Sequence, residues 1–108
     1  MRSPNLAPSQ DPVHLVLCDY GKLGNAYAET PPVCTERDAV EGILKGEYNN
    51  PLEVVAFDVS EGWSRDVSED VAGAVVERAR SEQRKLGEGA RRFVEKHLDE
   101  ELEPELCT

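Results

Sequence analysis

The apolar positions of this chain change period along its length, and those changes divide it into elements. VHLVLC, residues 13 to 18, is a short run rich in branched residues and predicts a buried strand. DYGKLG follows as a turn around Gly21 and Gly24. NAYAET, residues 25 to 30, alternates weakly and is more polar, which suits an antiparallel edge strand ended by Pro31 and Pro32. LEVVAFDV, residues 52 to 59, is the strongest strand. Leu52, Val54 and Ala56 fall on one side and Val55, Phe57 and Val59 on the other, so both sides are apolar. A strand covered on both faces reads in this way.

Elsewhere the period is helical. Thr35 and Asp38 have capping-box spacing, and Ala39, Val40, Ile43 and Leu44 then share one face up to Gly46, which suits a left-handed stop. Asp66 and Glu69 have N-cap and N3 spacing ahead of Val67, Val71, Ala74, Val75 and Ala79. Gly87 and Gly89 interrupt the pattern, and Leu86, Ala90, Phe93, Val94, His97 and Leu98 define another stripe.

The predicted order is β-β-α-β-α-α, an α+β domain. The path from the second strand through the first helix to the third is expected to be a right-handed crossover. With the polar second strand at an edge, the expectation is a three-stranded mixed sheet of order 2-1-3 packed with helices. That order leaves the apolar third strand at the other edge. Such an edge invites pairing with another chain, so a homodimer is expected.

Residues 1 to 12, with Pro4, Pro8 and Pro12, predict a disordered tail; 13 to 98 form one domain; 99 to 108 form an acidic tail. A chain of 108 residues suits one domain with a small core. The opening residues lack an export signal, and no run approaches the roughly 20 apolar residues that cross a bilayer. Membrane insertion is not expected.

Charge narrows the function classes. The formal net charge is −10, which repels nucleic-acid phosphates and argues against direct nucleic-acid binding. The charge is also uneven. Residues 1 to 77 carry five Lys or Arg and fourteen Asp or Glu; residues 78 to 97 carry seven and three; residues 98 to 108 carry none and five. The basic stretch, with Arg78, Arg84, Arg91 and Arg92, reads either as an interaction surface that the acidic tail screens or as a solvated helix. The second reading rests on i,i+4 pairs: Arg78–Glu82, Arg84–Glu88, Glu88–Arg92 and Arg91–Glu95. Cys18, Cys34 and Cys107 show no metal-ligand spacing and read as reduced thiols of a cytoplasmic protein.

The candidate chemistry gathers at EGWSRD, residues 61 to 66, where a strand passes into a helix. Helix N-termini carry positive potential, so Trp63, Ser64 and Arg65, with His14 from the first strand and Glu29 from the second, form a candidate anion or small-ligand site. The structural alternative is a joint: Gly62 turns, Trp63 covers the end of the core, Asp66 caps the helix and Arg65 pairs with Glu61 or Asp58. Ser64, His14 and Asp58 have the residue types of a hydrolase triad, yet no G-x-S-x-G elbow is present. GKLG lacks the phosphate-loop pattern. Asp19 and Asp58 each end an apolar strand, as a carboxylate pair or as plain strand ends. His97, on an apolar stripe, reads as a core-edge histidine. No catalytic residue, metal site or cofactor is assigned.

YNNPLEVVAFDVSEGWSRDVSEDVA resembles a group of short uncharacterised bacterial proteins of the alphaproteobacterial type. The resemblance covers roughly residues 13 to 80. It implies a bacterial cytoplasmic protein, but no activity and no catalytic residues. The resulting expectation is a non-enzymatic protein-binding or regulatory protein, with a small-ligand or anion-binding domain as the alternative. A flat apolar surface or an exposed edge strand would favour the first, and a pocket lined by Arg65, Ser64 and His14 the second.

Overall fold

A computed structural model describes residues 12–28, 34–58 and 60–99. Strands β1 (Val13–Asp19) and β2 (Asn25–Tyr27) form a hairpin around a short 3-10 turn. Helix α1 (Glu36–Lys45), strands β3 (Pro51–Asp58) and β4 (Trp63–Asp66), and helices α2 (Ser68–Glu82) and α3 (Glu88–Leu98) follow. The chain is α+β, as its pattern predicts.

The sheet departs from the expectation in two ways. It has four strands in the order β2-β1-β3-β4, and every neighbouring pair is antiparallel. The order 2-1-3 survives inside it. The mixed sheet does not, because β1 lies between β2 and β3 and runs against both. The fourth strand is the stretch expected to be a joint. Gly62, at φ 74, donates its N–H to the Asp58 carbonyl at 2.8 Å, and the tight turn returns residues 63 to 66 alongside β3. Trp63 then pairs with Asp58 and Asp66 with Val55. β3 is therefore an inner strand, and the edge-pairing reason for a homodimer falls away. The edges are the short β2 and β4.

The helix ends follow their sequence signals more closely. Thr35 accepts from the Asp38 N–H at 3.2 Å while Asp38 accepts from the Thr35 N–H at 3.1 Å, completing the capping box. Gly46 closes α1 in the left-handed region at φ 75. Ahead of α2, Asp66 stands one residue too early to be the N-cap, which is Val67, but its carboxylate still accepts from the Ser68 N–H at 2.8 Å.

The helices cover one face of the sheet. Val16 and Cys18 of β1 and Val54 and Ala56 of β3 are buried there with Val40, Ile43, Val71, Val75, Phe93 and Val94 of the helices. Ser68 fastens α2 to this layer by accepting from the Val54 N–H at 2.8 Å. His97 is the core-edge histidine expected of it: its ring packs on Phe93 with centroids 4.7 Å apart, and Nε2 lies 2.6 Å from the Leu52 carbonyl. The expected N-terminal tail (residues 1 to 12) and acidic tail (99 to 108), and Glu29, Pro31 and Pro32, lie outside the described residues, apart from Pro12 and Asp99.

Candidate functional site

Two surfaces emerge from the register, one on each side of the sheet. Residues directly opposite one another on antiparallel strands point to the same side. His14 pairs with Ala56 and Ala56 with Arg65, so these three form one row on the helix-covered side. Val13, Phe57 and Ser64 form the next row, on the other side. The strand that carries Arg65 therefore sends Ser64 away from it. Ser64 joins neither the expected anion site nor a triad with His14.

The row of His14 and Arg65 borders a cavity of about 400 Å³ between the starts of α1 and α2. Arg37, Glu36 and Asp70 also line it, so its charge is mixed. His14 is only 6% exposed. Its Nδ1 lies 3.3 Å from the Cys34 carbonyl, which can only accept, so this nitrogen carries a proton. Arg65 stands 5.2 Å above the centre of the Trp63 ring. The indole is partly buried against the core edge and donates its N–H to Glu61 at 3.3 Å. Arg65 thus stacks where pairing with Glu61 or Asp58 was expected.

Asp58 is committed to the β3–β4 turn. It accepts from the Ser60 hydroxyl at 2.7 Å and the Glu61 N–H at 3.0 Å, and these bonds hold its carboxyl below the usual carboxylate range. Asp19 accepts from the Gly21 N–H at 2.8 Å at the opposite end of the sheet. The two carboxylates end strands and do not form a pair.

On the other side of the sheet, Val13, Leu15 and Leu17 of β1 lie beside Val55 and Phe57 of β3, with Tyr27 of β2 next to Leu17. No described element packs on this face, since all three helices contribute to the core of the opposite one. These strand residues are partly buried, and Tyr27 is 52% exposed. Antiparallel sheets with one solvated face ordinarily alternate apolar-in and polar-out. Here the outward positions of both central strands are apolar except at Asp19 and Glu53. Their signal was present in the sequence as the two apolar sides of LEVVAFDV; it lay in the alternation, not in any motif.

The arginines of the basic stretch are largely engaged. Arg78 and Arg84 converge on Glu41 of α1 and Glu82 of α2, with Arg84 at 3.0 Å from Glu82. Partial burial pushes Glu41 upward, but its hydrogen bond to Arg78 and the nearby charges of Arg78, Arg84 and Lys45 hold its carboxyl below the usual range. Arg91 pairs with Glu95 at 3.7 Å and Arg92 with Glu88 at 2.7 Å. The i,i+4 pairs of residues 78, 91 and 92 form as spaced; Arg84 lies beyond the end of α2 and reaches Glu82 and Glu41 instead.

Cys18 and Cys34 are buried free thiols near Tyr48. Burial pushes both thiols up and takes the Tyr48 hydroxyl to about 12, so all three are protonated and unreactive at neutral pH. Tyr48 lies against Gly42, where a β-carbon would collide with its ring. Among the described residues no group of His, Cys, Asp and Glu is placed to hold a metal ion, and no helix is long and apolar enough to cross a membrane. Comparison with family models, curated proteins and solved structures yields no match for this chain.

Proposed function

We propose that this chain is a small non-enzymatic binding protein of the bacterial cytoplasm that presents the open face of its sheet to another polypeptide. One observation carries the reading: Val13, Leu15, Leu17, Val55 and Phe57 form a continuous apolar surface on which no described element rests. The five residues are partly exposed and Tyr27 beside them is exposed, and contiguous apolar surface that reaches solvent is a hallmark of interaction sites. The buried thiols suit a reducing compartment.

The test compares capture of polypeptides from a bacterial lysate by three forms. Leu15→Ser with Phe57→Ser alters the open face, and Arg65→Gln alters the cavity on the other side. Polypeptides retained by the wild type and Arg65→Gln, but not by the face variant, support the reading once circular dichroism shows that variant folded. Equal capture by all three forms overturns it, as does a wild type that retains nothing and stays monomeric.

The His14–Arg65 row favours a second reading, a small organic anion held in the cavity by Arg65 and Arg37. Citrate and phosphate are suitable probes. Either should move the His14 ring signals in NMR, and Arg65→Gln should abolish the shift. Unmoved signals at millimolar probe would remove this reading.

A further inference from the structure

We infer that the occupant of the open face is a basic amphipathic segment of another protein, apolar at its centre and flanked by lysine or arginine. The inference rests on the reading that this face is a docking surface, and adds the chemistry of the partner. Asp19, Glu53 and Asp66 are the charged side chains that the register places on this side, and the paired strand residues on it include no cation. Glu53 sits beside Leu17, in the same row as Tyr27, within the apolar patch. Among the described residues nothing hydrogen-bonds or pairs with it. Asp66 feels Lys96 and His97 of α3 and is committed to Ser68, while Asp19 is committed to Gly21. Glu53 is therefore the carboxylate left to choose a partner.

A second copy is the poorer occupant. Packing this face on itself would bury two Glu53 carboxylates, between chains that each carry a formal charge of −10. Like charges set against each other across an interface disfavour that pairing. The same net charge draws a basic segment in from a distance. The geometry suits a helix, because the inner face of the same sheet already packs against helices through Val16, Val54 and Ala56.

The experiment uses two synthetic amphipathic helices of about 18 residues, long enough to hold helix in isolation. They share one leucine face; one has lysine on its polar face and the other glutamate. Each is titrated into the isotope-labelled chain, and amide shifts are mapped, since a basic peptide also adheres diffusely to an acidic protein. The lysine helix should shift Leu15, Leu17, Val55 and Phe57 and weaken about tenfold between roughly 50 and 300 mM salt. Glu53→Lys should move the preference toward the glutamate helix, and Phe57→Ser should weaken both. If both helices occupy the face equally, charge selection is wrong while the docking surface stands. If neither reaches the face, both readings fail. A dimer in light scattering that is lost in Phe57→Ser would make a second copy the occupant and overturn the inference.

Discussion

The two faces of this sheet come from the same strands and much the same residue types, yet they differ in what lies against them. On the inner face, Val16, Cys18, Val54 and Ala56 are almost wholly buried beneath three helices. One residue away along each strand, Leu15, Leu17, Val55 and Phe57 are less fully buried, and no described helix lies on them. Residue type does not distinguish core from binding surface here. The distinction lies in where the chain spends its helices, and all three go to one side.

That comparison can be broken from either side. The largest effect is expected inside. Phe93 is 1% exposed, and Phe93→Ala should cost about 3–5 kcal/mol in urea unfolding by leaving a cavity. Trp63→Ala should cost less, about 2 kcal/mol, since the indole is partly buried at the sheet edge and burial gains scale with area removed from water. A loss as large as that of Phe93→Ala would mean the indole is central to the core. Phe57→Ser, on the open face, should cost only about 1 kcal/mol, for the same reason. It should nevertheless remove most binding to the face, so unfolding and capture measured on one sample separate the two roles. If Phe57→Ser unfolds the chain as Phe93→Ala does, the outer face is core.

The smallest effect concerns the turn that adds β4 to both faces. Hydrogen bonds from Ser60 and Glu61 hold the Asp58 carboxyl below its ordinary value, so the folded state binds its proton less readily than the unfolded chain. The stability this contributes is complete above the ordinary carboxylate range and is lost as pH falls through the lowered folded value. Asp58→Asn should therefore show a flatter dependence of unfolding free energy on pH between about 2 and 5 than the wild type. Identical profiles would mean that Asp58 does not stabilise the turn through its charge.

Local signals were the legible part of the sequence. The Thr35–Asp38 box, the Gly46 stop and the stripe from Ala90 through Val94 depend on residues a few positions apart, and each formed as spaced, while Leu86 is buried just ahead of the helix. β4 was hidden because WSRD has no apolar alternation; its pairing comes from the turn at Gly62 and the waiting edge of β3. The cavity was half legible. His14 and Arg65 line one cavity from either side of Ala56, but Ser64 is removed by the strand alternation that β4 imposes. Arg37 and Asp70 enter from helix starts far away in sequence, which no local pattern marks. LEVVAFDV implied cover on both faces, and the structure describes that cover on one.

The central pairing of the sheet also bears on how the protein is maintained. Val13 lies opposite Phe57, with all of β2 and α1 between them in the chain. Closing so long a loop is an entropic cost that a local hairpin avoids. The outer face does not exist until that loop has closed, because it is made of β1 and β3 side by side. A partner that docks there therefore recognises the folded chain alone. At a free concentration one hundred times its dissociation constant, such a partner would add about 2.7 kcal/mol to folding stability. The lifetime of this small acidic protein in the cell would then follow the supply of its partner.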